Sequence, residues 1–331
     1  MNHIVITLNK FINKMSDFSF PLQYKQAYIT AADIVLEIPN LDTLKYFYRG
    51  VSTPTILSPS FNTHNIIDTS YMFYGCSSLR VVPLFDTSNV TNMNVMFQNC
   101  NSLYTVPLFD TSKVTNMSNM FNGCNNNLYT IPQLDTSNVT VMSSMFNSCS
   151  NLRAVPLFDT SNVTSMYNMF SSCSKLETIP LFDTSKVTDM SGMFQNCSWL
   201  REIPEINTTN VTTMRSIFSS CSYLRRLPKF YAGKLGNVSN FCGYGTLTNL
   251  IEIGGFENFG ATSSISGTNS SYFIAGMPNL TKESVLNVLN NLYDRASVGF
   301  SVLTLKLHAN HLAMLSDDEK AIATNKGWTL A

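Results

Sequence analysis

Three sets of residues in this chain could do chemistry at a regular spacing. Cys76, Cys100, Cys124, Cys149, Cys173, Cys197 and Cys221 recur about every 24 residues, and Cys242 follows them. Thiolates bind soft metals, attack electrophiles and pair as disulfides. Asp86, Asp110, Asp135, Asp159 and Asp183 recur at the same interval, and a row of carboxylates can hold a hard cation. His308 and His311 stand three apart ahead of Asp317, a spacing seen in zinc sites.

Each set also has a structural reading. Structural zinc needs clustered pairs such as C-x-x-C, and this chain has none. If the cysteines line stacked coils about 4.8 Å apart, a disulfide could span two coils. Every sulfur in such a ladder has two equivalent neighbours and no preferred partner, so we expect buried, reduced thiols that fill the core. The aspartates lack the Gly-Gly-x-Gly-x-Asp context of calcium-binding coils and read as turn acceptors. The histidine pair has no third ligand in clear register. Neither Gly-x-Ser-x-Gly nor Gly-x-Gly-x-x-Gly occurs. Asn-Val-Thr and Asn-Cys-Ser triplets fit glycosylation sequons but follow the repeat's own grammar. The expectation is therefore no catalytic residue, no cofactor and no metal, so not an enzyme.

The element that carries these columns is a repeated phrase. One copy runs Leu103-Tyr-Thr-Val-Pro-Leu-Phe-Asp-Thr-Ser-Lys-Val-Thr-Asn-Met-Ser-Asn-Met-Phe-Asn-Gly-Cys124. The frame starts again at Leu79, Leu128, Leu152, Leu176, Leu200 and Leu224. A fixed period in this range marks a solenoid of stacked coils. Leu-x-x-Val/Ile-Pro reads as a short strand that proline ends, and Asp-Thr-Ser as a turn. Val-Thr-x-Met reads as a second extended piece. Met93, Met96, Phe97 and Cys100 then fall at i, i+3, i+4 and i+7, one face of a helix, with Thr91 placed to cap it.

The fold class expected is an α/β repeat solenoid, leucine-rich-repeat-like, of about eight coils. Each would hold a short strand and a short helix, in a block roughly 40 Å long. Residues 1–56 form an N-terminal cap or attachment segment, with strands at Ile4–Leu8 and Ile34–Ile38. Within it Phe47-Tyr-Arg-Gly50 echoes Phe73-Tyr-Gly-Cys76. The solenoid covers 57–230, and 231–275 a degenerate repeat with a glycine-rich surface excursion. Residues 276–331 form an α/β cap: a helix capped by Thr281, a strand through Leu303, Leu305 and Leu307, a capping box at Ser316 and a plug at Trp328.

Lys+Arg and Asp+Glu both number 21, and only 13% of the 331 residues are charged. Neutrality gives no electrostatic case for nucleic acid. No apolar run is long enough for a membrane span, and the first residues lack the basic and apolar regions of an export signal.

Two columns vary usefully. After the repeat Leu come Arg80, Tyr104, Tyr129, Arg153, Glu177, Arg201 and Arg225. If the Leu faces inward, this position faces outward. After the Pro come Leu84, Leu108, Gln133, Leu157, Leu181, Glu205 and Lys229, a slot too permissive to be deep core. Arg80, Tyr104, Leu108, Tyr129, Arg153 and Arg201 are the candidate binding face, a Tyr/Arg row beside an apolar row. An ordinary solvated strand face remains the alternative.

The phrase Phe-Asp-Thr-Ser-Asn-Val-Thr-x-Met-x-x-Met-Phe-x-x-Cys-x-x-Leu, over roughly residues 57–230, resembles the BspA-type leucine-rich-repeat proteins. That resemblance implies a leucine-rich-repeat-like solenoid and non-enzymatic surface attachment or recognition. The closing segment, from Leu280-Thr-Lys-Glu-Ser-Val-Leu to Lys326-Gly-Trp-Thr-Leu, is similar to the ends of repeat proteins in tailed bacteriophages of gut bacteria. With no export signal expected, the reading is a virion structural protein, tail-associated or fibre-like. Its partners would be other virion proteins or a host-surface protein or glycan, with homo-oligomers possible in an assembly. The alternative is a bacterial cell-surface adhesin.

Overall fold

The computed structural model describes residues 42–51, 63–243, 247–268 and 273–331. Most of the expected N-terminal cap, including both of its strands, lies outside these residues. The coils stack along a parallel ladder one residue wide. It joins Thr43 to Asp68, Asp68 to Asn92, and so on through Asn116, Val141, Ser165, Asp189, Thr213 and Asn237 to Ser266. From Asn92 to Thr213 these rungs sit in the Val-Thr-x-Met segment. In the regular coils the threonine before the rung donates its N–H to its counterpart one coil earlier, Thr115 to Thr91 at 2.9 Å and Thr188 to Thr164 at 3.0 Å.

The expected strand at Leu-x-x-Val-Pro is only loosely paired. Tyr104 donates to the Arg80 carbonyl at 3.3 Å and Arg225 to Arg201 at 2.8 Å. Regular strands form where the repeat decays. There β1 (Arg226–Leu227) pairs parallel with β3 (Glu252–Ile253), and β2 (Phe230–Tyr231) with β4 (Phe256–Glu257). The proline that closes each repeat segment has no N–H to give a ladder.

The helix expected at Met-x-x-Met-Phe-x-x-Cys is absent from residues 63–243. Overlapping turns take its place. Met96 donates to Met93 and Cys100 to Phe97, while Met93, Val95, Phe97 and Asn99 donate to the next coil. Val95 and Asn99 have φ of 61° and 62°. An α-helix satisfies its own backbone and has no N–H left for a neighbouring coil. Turns four residues apart return the chain to the core at the same i, i+3, i+4, i+7 positions, so the apolar spacing imitates a helix. Thr91 caps nothing; its N–H and Oγ1 both bond the Ile67 carbonyl.

The core is a set of columns. Phe73, Phe97, Phe121, Phe146, Phe170, Phe194 and Phe218 stack ring on ring, with centroids 5.3 to 6.0 Å apart. In the first described coil the frame differs from the expected echo by one residue. Tyr48, not Phe47, takes the ring slot, stacking on Phe73 at 5.2 Å. The glycine-rich stretch expected as a surface excursion instead buries Phe256, Phe259 and Ile265, and Ser266 supplies the last rung.

A compact unit closes the stack. Thr281 caps α1 (Lys282–Asn290), which buries Val285, Val288 and Leu289. α2 (Ala309–Met314) leads to α3 (Asp317–Thr324), opened by the Ser316/Glu319 capping box. β5 (Leu303–Leu305) pairs parallel with β6 (Trp328–Leu330). Trp328 lies flat on Phe259 and donates to the Tyr293 carbonyl. Arg295, wholly buried, donates to the carbonyls of Gly260, Thr262, Ser263 and Ser301.

Candidate functional site

All eight cysteines are buried and unpaired. Each repeat thiol donates to the carbonyl in the ring slot one coil earlier, as Cys100 to Phe73 at 3.0 Å and Cys149 to Phe121 at 3.0 Å. Cys242 turns the other way, to Phe273 at 3.2 Å. Burial pushes Cys124 and Cys221 up to about 12, so thiolate chemistry is suppressed there.

The aspartates are turn acceptors. Oδ1 of Asp110 takes the N–H and the hydroxyl of Ser112, and Asp135 takes both from Ser137. The serine hydroxyl and N–H hold Asp86, Asp110, Asp159 and Asp183 below the usual carboxylate range, Asp86 at about 2 with help from His64. The neighbouring threonines, Thr87 to Thr208, staple each turn to the next coil through buried Oγ1–carbonyl bonds of 2.7 to 2.9 Å.

The histidine pair is part of the closing unit. His308 Nδ1 accepts from the Asn310 N–H and caps α2. His311 is buried with neither ring nitrogen hydrogen-bonded. Burial first, and the nearby His308 second, lower it to about 4. The sequon asparagines are also occupied: Asn138 and Asn162 donate Nδ2 to the preceding coil's Ser112 and Ser137 carbonyls.

The expected binding face is open. Arg80, Tyr104, Leu108, Tyr129, Arg153 and Arg201 are all exposed, and the coil register places them in two parallel columns. Leu84, Leu108, Leu157 and Leu181 are 59 to 66% exposed, while the next residue in each case, Phe85, Phe109, Phe158 or Phe182, is buried. An open hollow of about 450 Å³ lies among Leu84, Leu108, Asp86 and Asp110. Sequence reasoning weighed the aspartates as cation ligands and as turn formers, and not as part of this face. The alternation Leu out, Phe in, Asp out would have placed them on the same face.

A family profile described as "Mycoplasma protein of unknown function, DUF285" matches residues 43–154, 103–178 and 166–241. No curated protein matches the chain. Among solved structures, a leucine rich cell surface protein from Faecalibacterium prausnitzii A2-165 is similar at 17% identity, over 80% of this chain and 81% of that one. Its TM-score is 0.34.

Proposed function

The chain belongs to the DUF285 repeat family, and from that premise we propose that it is a non-enzymatic recognition protein of the bacterial cell surface. Its repeat solenoid would present the face of Tyr104, Tyr129, Arg80, Arg153 and Leu108 to a partner. The observation that carries this reading is the row of leucines more than half exposed on a chain whose inward Leu, Val/Ile, Phe, Met and Cys columns are all buried. Tyr and Arg are enriched in binding hot spots, and a solvent-facing apolar row beside them marks an interaction surface. Cell-surface placement takes its support from the repeat phrase, which is of the BspA type and spans most of the chain. The virion reading rests on the closing segment and on the export signal not expected in the sequence, and gains no support from the family match.

Beads coated with the full chain, offered to bacterial and epithelial cell layers, test the face. Tyr104→Ala with Tyr129→Ala should cut adhesion at least fivefold while the unfolding midpoint stays within about 0.5 kcal/mol of wild type. Unchanged adhesion would place recognition elsewhere. Antibody labelling of intact producing cells tests the location. The chain's presence in purified phage particles without surface labelling would reverse the assignment.

A further inference from the structure

The solenoid contains its own controls for what folding requires. In the slot of Leu84, Leu108, Leu157 and Leu181, other coils carry Gln133, Glu205 and Lys229, and all are exposed. The core therefore does not need leucine there. In the Asp slot another coil carries Asn207, whose Oδ1 accepts from the Thr209 N–H at 3.0 Å and from its hydroxyl, as an aspartate does from its serine. The turn therefore does not need a charge. Both columns change at the same coil, Leu181 to Glu205 and Asp183 to Asn207. An apolar column, interrupted at its centre by Gln133, and a carboxylate row thus run side by side from Leu84 to Asp183, and the fold requires neither leucine in the one nor charge in the other.

Four of the five carboxylates along this stripe also lack an ion-pair partner among the described residues. Asp110, Asp135, Asp159 and Asp183 make no ion pair among the described residues, while Asp86 meets His64 at 2.9 Å. Lys113 and Lys186 lie close enough to be felt by Asp110 and by Asp159 and Asp183. Their ammonium groups are instead bonded to Asn89 and Asn162. Beyond the change of coil the pattern differs: Arg226 pairs with Glu252 and Lys229 with Glu257 across coils.

We infer that the Leu84–Leu181 stripe is a docking site for an amphipathic helix of a partner protein, with leucine-like side chains on the stripe and Lys or Arg on its Asp side. This rests on the recognition reading above and names the partner's chemistry. A helix lying along the stack presents a side chain every turn, about 5.4 Å. The coils repeat about every 4.8 Å, so over four steps the drift is about 2.4 Å, within side-chain reach. An extended strand presents one face every 6.6 Å or so and drifts about three times as far. Aliphatic burial supplies affinity, and the carboxylate row selects the basic flank.

The probe is a fluorescently labelled 18-residue designed helix with one leucine stripe flanked by lysine, and a twin with glutamate for each lysine. Binding to the full chain is read by anisotropy. The lysine helix should bind at least tenfold more tightly than its twin. Asp110→Asn with Asp159→Asn should weaken it at least fivefold, and Leu108→Gln with Leu157→Gln at least tenfold. Each change copies a residue the solenoid already carries in that slot, so all variants should fold, the leucine pair with an unmoved unfolding midpoint and the aspartate pair with only the small loss set by their depressed titration. Equal affinity for both helices, no binding, or affinity indifferent to these variants would overturn the inference. So would a concentration-dependent dimer that the leucine variants abolish, which would give the stripe to a second copy of the chain. If bead adhesion depends on Tyr104 and Tyr129 while the helix fails to bind, only the partner assignment falls.

Discussion

Ser144 shows how the backbone of the turns constrains single residues. It has φ of 57°, and in the same slot stand Val95, Asn119, Asn168 and Gly192, all left-handed. A β-branched residue there carries a steric cost of about 1–2 kcal/mol. Ser144→Val should therefore destabilise the chain by about 1 kcal/mol in urea unfolding, while Ser144→Gly should be neutral or better. The titrating residues make a second expectation. The depressed aspartates contribute stability that is present above their ordinary values near 4 and lost as pH falls through the folded ones, about 2 for Asp86. His311 is held neutral, so its contribution is present above about 6.5 and lost as pH falls toward 4. Denaturation midpoints against pH should show both declines, and His311→Leu should flatten only the upper one. The thiols supply a third. Ellman's reagent should leave all eight unreacted in the native chain and titrate them on unfolding; fast labelling of native Cys149 would contradict the buried ladder.

Among the elements, the closing unit depends on one buried cation. Arg295 reaches four carbonyls and lies 5.2 Å from the Phe300 ring and 5.9 Å from that of Trp328. Arg295→Met leaves those carbonyls without their donor and should cost about 3 kcal/mol. Coils in a solenoid contact only their neighbours. Hydrogen exchange should therefore accelerate over residues 247–331 and stay unchanged over 79–200; uniform acceleration would mean the unit is not separable. Much of this was legible in the sequence. The period placed every core column, and Thr281, Ser316 and Trp328 announced the closing unit. Two features were not legible. The turn run was read as a helix, because turns four residues apart and a helix return to the core at nearly the same positions. Phe256 and Phe259 were read as surface, because glycine-rich text hides a coil whose fixed phrase has decayed. Of the candidate face, Tyr104 and Leu108 followed from the outward slots. Asp110 did not, because an aspartate that closes a turn gives no sign that its second oxygen faces a partner.

At the scale of the whole molecule, the columns that fold the chain differ from those proposed to recognise a partner. Phe, Met, Cys and the inward Leu hold the stack together, and the ladder threonines and asparagine staples join coil to coil. The outward Leu and Tyr do neither, and the outward Asp closes only its own turn. Variation in those outward columns should change partners without changing stability, which is how a repeat array can present new surfaces on a fixed frame. Site-specific photo-cross-linking on intact cells tests this most directly. A benzoylphenylalanine would replace Leu108 or Leu157 on the stripe, and Tyr167, also exposed, on the turn run as a control. Adducts from positions 108 and 157 with none from 167 are the predicted result. Adducts from 167 alone, or from all three alike, would contradict the account.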